Sequence, residues 1–220
     1  MVTALVHLVA RLRPALLAAP VLAVIAVCTV VGSESLAPRL FHPWLDLNGE
    51  RNFTAGLSAA LLAAAGVLAW LWGRSDGRQR PVAATALGGL FLFMAADEFG
   101  ELHERAERLS GIDWQVLYLP VMVAGALVWL LALRRLWPLL APRVLWLAGA
   151  AGWLVAQVLE LNQYDAADVR TASWAQLVTG EESLEMLGSL AFGLALLVAI
   201  RRSAEPLEGR APARPLVEAG

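Results

Sequence analysis

The chain has 220 residues, of which 59% are apolar and 16% are charged, and its mean hydropathy is +0.62. Soluble domains carry charge on about a quarter of their residues, so this composition excludes an ordinary soluble fold and indicates a membrane protein. One cysteine, Cys28, excludes a disulfide framework, and the net charge of −2 is uninformative by itself.

Six apolar stretches are long enough to cross the hydrocarbon core of a bilayer, which takes about 20 helical residues. They predict an all-α fold, a polytopic membrane bundle of six transmembrane helices near residues 14–32, 54–72, 82–102, 114–133, 144–162 and 182–200. Tryptophans fall near the predicted helix ends, which is typical of an interfacial aromatic belt. We expect residues 1–202 to form one transmembrane domain and residues 203–220 to form a disordered tail, because the tail is rich in Pro, Ala, Glu and Arg.

Arginine is distributed unevenly between the two sides of this bundle. With six spans, twelve arginines lie on the side that holds both termini and five lie on the other side. The positive-inside rule then predicts a protein of the plasma (inner) membrane with both termini in the cytoplasm. The acidic residues show the opposite bias, with four on the cytoplasmic side and fifteen at or near the outer side. The orientation of a protein in the membrane depends on its basic residues and does not require this bias of the acidic ones. We therefore interpret the bias as a sign of function.

The connection into the second span is polar and contains Glu50, Arg51 and Asn52. An asparagine at this position is typical of a helix N-cap, because its side chain accepts a hydrogen bond from a free backbone N–H group. Arg51 could neutralise a buried carboxylate. We interpret these three residues as supporting residues of a site.

The densest acidic stretch, residues 97–104, ends the third span. In a continuous helix Asp97, Glu101 and Glu104 share one face, Glu98 lies alongside, and His103 points away. Carboxylates at a helix C-terminus oppose the helix dipole and repel one another. The stretch therefore needs compensating positive charge.

Local ion pairs explain part of this stretch. Two pairs with the acid four residues before the base are expected, Glu101–Arg105 and Glu104–Arg108, so these two glutamates have a purely structural alternative. The acids at 97 and 98 have no such partner and lie deeper in the membrane. An ionisable residue at that depth indicates function.

The fifth and sixth spans add further acids. Glu160 ends the fifth span, where the helix dipole is again unfavourable. Thr179 and Glu182 match a capping box at the start of the sixth span, which gives Glu182 a structural alternative. Glu185 lies one turn deeper, and capping does not explain it.

These acids come from helix ends at the same membrane depth, so we expect them to converge. A divalent cation held by carboxylate oxygens and an imidazole would supply the missing positive charge; zinc, manganese, calcium and magnesium are all compatible. The predicted metal ligands are Asp97, Glu98, Glu101, His103 and Glu185, the predicted proton-transfer groups are Glu160 and Glu104, and the supporting residues are Glu50, Arg51, Asn52 and Glu182. Shared protons are the alternative, because closely placed carboxylates cannot all ionise.

The pattern Glu50-x-Asn52-x-Thr54-x-x-x-Ser58 resembles a helix of the alkaline ceramidase and progestin-receptor-like superfamily of zinc-dependent membrane amide hydrolases. The resemblance implies hydrolysis at a metal ion. The three zinc histidines of that superfamily have no counterpart in this chain, so carboxylates would have to replace them.

A second resemblance covers more of the chain. A group of uncharacterised bacterial multi-pass membrane proteins carries an Asp-Leu-x-x-Glu-x-Asn element before the second span and an Asp-Glu…His-Glu element at the end of the third. The matching residues are Asp46, Leu47, Glu50 and Asn52 in the first element and Asp97, Glu98, His103 and Glu104 in the second. This resemblance implies no particular activity.

The sequence therefore favours a metal-dependent, membrane-embedded hydrolase that acts on a lipid-like substrate from the outer leaflet. A transporter or sensor of cations or protons is the alternative, and an accessory membrane subunit without catalysis is the third possibility. A real site requires the carboxylates to converge within about 5 Å of a common point, as ligands of one ion do. Membrane lipids are the expected partners, nucleic acid is not expected, and a homo-oligomer stays open.

Overall fold

The computed structural model describes residues 2–49, 51–75, 81–164 and 169–204. These residues form eight α-helices and one 3-10 turn, Pro43–Leu45. The helices are α1 (Val2–Ala10), α2 (Pro14–Val31), α3 (Phe53–Ser75), α4 (Pro81–Gly100), α5 (Leu102–Ser110), α6 (Trp114–Leu136), α7 (Leu140–Glu160) and α8 (Trp174–Ala204). The tail predicted for residues 203–220 lies outside the described residues from residue 205 onward.

Six of these helices, α2, α3, α4, α6, α7 and α8, are long and apolar enough to cross a membrane. They coincide with the six predicted spans and confirm the polytopic all-α bundle. At one end of the bundle α2, α4 and α7 finish while α3, α6 and α8 begin. We call this the acidic end, because a concentration of carboxylates lies there, and we call the opposite end the arginine-rich end.

The long helix α8 is the centre of the bundle. It packs against α7 and α3 and also contacts α1 and α2, while α4 packs on α3 and α6 lies at the periphery. Of the six spanning helices α8 has the largest buried share and α6 the smallest. The bundle is therefore organised around its last described helix.

Glycines allow two pairs of helices to approach closely. A Cβ atom on Gly88 of α4 would lie 2.9 Å from the carbonyl oxygen of Gly66 on α3, and a Cβ on Gly188 of α8 would lie 2.9 Å from that of Gly149 on α7. Small residues at such crossings are typical of membrane helices, whose association depends on close van der Waals packing. These contacts fix α4 and α7 beside α3 and α8.

An aromatic cluster fills the middle of the bundle. Trp146 of α7 is fully buried and contacts Phe91 of α4, Phe192 of α8 and Trp129 of α6, with ring centroids 6.2, 4.8 and 6.0 Å away. Aromatic pairs at these separations contribute packing energy beyond simple burial. Four spanning helices are thereby joined below the acidic end.

Candidate functional site

A break in the helix shapes the acidic end. Glu101 adopts a left-handed conformation (φ 52°, ψ 41°), so that α4 ends at Gly100 and α5 starts at Leu102. The continuous helix expected through residue 104 is therefore wrong, and so is the common face expected for Asp97, Glu101 and Glu104. A left-handed residue redirects the chain, and α5 leaves the axis of α4.

Asp97 lies on the inner side of this break and holds the two helices together. Its Oδ1 accepts a hydrogen bond from the backbone N–H of His103 at 2.9 Å, which caps the first turn of α5. Its Oδ2 lies 3.0 Å from Nδ1 of the same histidine, and the Tyr118 hydroxyl donates to Oδ1 at 2.9 Å. His103 therefore points toward Asp97, contrary to the expectation from an unbroken helix.

The surroundings of His103 favour its protonated form. Burial by itself lowers the pKa of this histidine, but the hydrogen bond and negative charge of Asp97, together with the charges of Glu104 and Glu160, outweigh that effect. The pKa of His103 is raised above its ordinary value as a result.

Glu101 and Glu104 are paired with arginines. Glu101 lies 3.0 Å from Nε of Arg51 and 3.8 Å from Nη2 of Arg108, and Glu104 lies 3.0 Å from Nη1 of Arg108. The expected pair Glu104–Arg108 is confirmed. Glu101 pairs with Arg51 and Arg108 in place of the expected Arg105, because the left-handed turn changes its direction. Arg51 thus neutralises a side chain that is only 12% exposed.

Three other carboxylates converge without such partners. Glu98 of α4 and Glu182 and Glu185 of α8 each offer an oxygen, and these oxygens all lie within 4.8 Å of one another. We call these three residues the carboxylate triad. The spacing of three residues places Glu182 and Glu185 on the same face of α8. No ion pair links the triad to an arginine among the described residues.

A serine hydroxyl completes the inner side of the triad. Ser58 of α3 is 1% exposed, and its hydroxyl lies beside the carboxylate of Glu98 and interacts with it. In the sequence Ser58 stands out only through a motif resemblance, since one serine in an apolar helix carries no signal of its own.

The capping-box interpretation of Glu182 is wrong. α8 begins at Trp174, so Thr179 and Glu182 lie in its second and third turns. The stretch from Trp174 to Val178 contains no helix breaker, and Gly180 is tolerated inside a helix. The Thr179 hydroxyl bonds instead to the Ala175 carbonyl and the Ser33 hydroxyl, both at 2.7 Å. Glu182 therefore does not cap the start of a helix.

Two more acidic residues, Glu160 and Glu181, lie near the triad. Glu160 accepts hydrogen bonds from Trp114 Nε1 and Gln157 Nε2, both at 3.1 Å, and Glu181 accepts one from Gln163 Nε2. Glu160 and Glu181 interact electrostatically with each other and with the triad. The sequence does not single out Glu181, because an acid near the expected start of the sixth span has a structural explanation in the helix dipole.

The supporting residues have separate positions. Asn52 caps α3 as predicted, since its Oδ1 accepts from the Ala55 backbone N–H at 3.0 Å, and its Nδ2 donates to the Asp46 carbonyl at 2.7 Å. Arg51 belongs to the ion pairs of Glu101. Glu50 lies outside the described residues.

Of the five predicted metal ligands, Glu98 and Glu185 lie together, and Glu182 joins them. Asp97 and His103 form a hydrogen-bonded dyad next to the triad, and Glu101 forms ion pairs. The triad offers oxygen ligands only, which suit magnesium, manganese or calcium, whereas zinc sites more often contain histidine or cysteine. The residues present thus fit a hard divalent cation.

Over residues 15–200, the chain matches the model of a family described as a domain of unknown function, DUF8692. No curated protein and no solved structure matches it significantly. The matched residues include all three members of the triad and the Asp97–His103 dyad, and nearly all of the six spanning helices.

Proposed function

The chain belongs to the DUF8692 family, whose description names no activity, and we propose that it is a metal-dependent, membrane-embedded hydrolase with a lipid-like substrate. The single observation that carries the proposal is the carboxylate triad, whose oxygens lie within 4.8 Å of one another. The excess of arginines at the opposite end of the bundle supports an extracytoplasmic position for the acidic end in a plasma membrane.

Charge balance supports a bound cation. Taking ions out of water costs several kcal/mol each unless opposite charge compensates them. Glu101 obtains that compensation from arginines, but the triad has no basic partner among the described residues. A divalent cation held by the triad would offset two of its charges.

A bound divalent cation supplies Lewis-acid chemistry, polarising a carbonyl or phosphoryl oxygen and lowering the pKa of bound water. The protein's own contribution is proton transfer and orientation. Asp97 holds Nδ1 of His103, and Tyr118 holds Asp97, so that Nε2 stays available to take or give a proton. An imidazole held by a carboxylate in this way is typical of general acid–base catalysis.

The proposal changes the roles expected from the sequence. Glu98, Glu182 and Glu185 would hold the metal, while Asp97 and His103 would move protons. Glu160, which interacts electrostatically with His103, stays a second proton carrier. Glu104 is paired with Arg108 and takes no part.

Transport is less well supported by the geometry. Beyond Ser189, α8 continues to the arginine-rich end with buried apolar side chains, among them Phe192, Leu196 and Ile200. Transport sites of membrane proteins are commonly connected to both sides by polar residues. Ion handling and an accessory role are therefore the two alternatives to hydrolysis that measurements on the purified protein must distinguish.

Elemental analysis of the purified, detergent-solubilised protein tests the proposal. We expect about one magnesium, manganese or calcium ion per chain, and loss of that ion in Glu185→Gln and in Glu98→Gln. Glu104→Gln is the matched control, since it removes an acid of the same end that already has a partner. Full metal occupancy in Glu185→Gln, or folded native protein that binds none of the three ions, would contradict the metal site.

Hydrolysis is tested separately with the same variants. Lipids extracted from a bacterial membrane are incubated with the metal-loaded protein, and we expect products that disappear with chelator and in Glu185→Gln. A protein that binds the metal, gives no product and carries proton or cation flux in proteoliposomes would favour ion handling instead.

A further inference from the structure

A cleft of about 230 Å³ opens at the acidic end, next to the triad but not formed by it. One wall comes from the connection between α2 and α3 and carries Glu34 and Asp46. The other comes from the start of α8 and the residues before it, and carries Arg170, Trp174 and Thr179. The proposed hydrolase mechanism uses none of these five residues.

The two walls carry opposite charges. Carboxylates of Glu34 and Asp46 belong to one wall and the guanidinium of Arg170 to the other. None of these three side chains forms an ion pair with another described residue. Arg170 lies over the ring of Trp174, 3.8 Å from its centroid, which orients the planar guanidinium and leaves its N–H groups to donate.

We propose that this cleft binds a small zwitterion with a phosphate at one end and a primary ammonium at the other, as in an ethanolamine phospholipid headgroup. The phosphate accepts hydrogen bonds from Arg170, since a guanidinium donates two parallel bonds to phosphate oxygens. The ammonium donates to Glu34 and Asp46. Sites for drug-sized ligands measure about 300–1,000 Å³, so this smaller cleft takes a headgroup and leaves acyl chains outside.

The inference deepens the proposed function and rests on it for the chemical step after binding. Asp46 interacts electrostatically with Glu182, and Thr179 of the cleft wall precedes Glu182 by three residues on α8. The cleft therefore adjoins the triad, so that a lipid bound there by its headgroup lies at the same end of the bundle as the triad. Binding of the headgroup itself does not require the metal.

Titration of the full chain in detergent with phosphoethanolamine, monitored by isothermal calorimetry, tests the site. We expect Arg170→Gln and Glu34→Gln each to weaken binding about tenfold, the effect of one lost charge-assisted contact. Arg39→Gln is the matched control, because Arg39 is an exposed arginine in the α2–α3 connection outside the cleft, and we expect it to bind like the native protein.

Ligand analogues separate the two halves of the zwitterion. Phosphocholine cannot donate N–H bonds, and inorganic phosphate has no ammonium, so both should bind about tenfold or more weakly than phosphoethanolamine. Equal binding of phosphoethanolamine and inorganic phosphate would overturn the assignment, as would an equal loss in Arg39→Gln and Arg170→Gln. No detectable binding of any of the three would overturn the site as a whole.

An experiment with lipids distinguishes a phospholipid headgroup from a free zwitterion as the ligand of the cleft. The native protein and the Glu34→Gln variant are placed in nanodiscs of equal phosphatidylethanolamine, phosphatidylcholine and phosphatidylglycerol, and retained lipid is measured by native mass spectrometry. Selective retention of the ethanolamine lipid by the native protein assigns the headgroup of a lipid. Calorimetric binding without retention assigns a free zwitterion.

Failure of this inference can be told apart from failure of the proposed function. The calorimetry is repeated with chelator and with Glu185→Gln, where we expect unchanged phosphoethanolamine binding. Loss of headgroup binding in Arg170→Gln with full metal content then concerns the cleft alone. Loss of metal in Glu185→Gln with intact headgroup binding concerns the triad alone.

Discussion

Two groups of carboxylates lie within a few turns of each other at the acidic end, and they differ in their compensation. Glu101 and Glu104 contact Arg51 and Arg108, while Glu98, Glu182 and Glu185 contact one another and no arginine of the described chain. The first group is compensated by the fold itself. The second is stable only with a ligand or with shared protons, and that difference distinguishes the two groups more clearly than acidity or position does.

The Asp97–His103 dyad joins the two groups and gives the largest expected effect. His103→Gln removes the imidazole that takes or gives the proton, and general acid–base catalysis contributes about 10²–10⁴-fold. We expect the rate of lipid hydrolysis to fall by that factor while metal content stays native. If the His103→Gln variant lost its metal as well as its activity, His103 would be a metal ligand, as the sequence predicts.

The second-largest expected effect is a change in the melting temperature of the protein when the triad is altered. With chelator, Glu185→Gln should melt at a higher temperature than the native protein, because it removes an uncompensated buried charge. With the cation at 100 times its Kd the native protein gains about 2.7 kcal/mol, and the order should reverse. Thermal unfolding in detergent measures both states. Native protein that melts higher in both conditions would mean that the triad carries no net charge penalty.

The pH dependence of stability is set by His103. Its pKa is raised in the fold, so its pairing with Asp97 stabilises fully below the ordinary histidine pKa of about 6.5 and is lost as pH rises through the raised value. We expect the melting temperature of the native protein to fall, relative to that of His103→Gln, as pH rises above about 6.5. His7→Gln serves as the control, since that histidine is exposed on α1. Parallel curves for the native protein and His103→Gln would argue against the dyad.

The smallest effect should come from the paired acids. The pair of Glu104 and Arg108 is exposed, and such pairs contribute about 0.2–1 kcal/mol. Glu104→Gln should therefore change the melting temperature little and leave metal content and hydrolysis unchanged. A loss of activity as large as that of Glu185→Gln would remove the distinction between the two groups.

Helix number and approximate bounds could be predicted from the sequence, because length and hydrophobicity alone decide which segments cross a bilayer. The acidic end could be predicted as well, since short connections place alternate helix ends at one depth. Neither the break at Glu101 nor the early start of α8 could be predicted, because both depend on tertiary contacts of residues with ordinary helix propensity. Those two features decide the partners: the break directs His103 to Asp97, and the early start frees Glu182 for the triad.

The central position of α8 has a consequence for how the protein is made. During synthesis α1 to α7 leave the ribosome first, and α2, which packs mainly against α8, meets that partner only after α8 has been translated. Contacts of such large sequence separation slow folding. Glu98 meets Glu182 and Glu185 only when α8 enters the membrane, so the triad does not exist on a nascent chain. Assembly of the bundle and formation of the triad thus coincide in one late step.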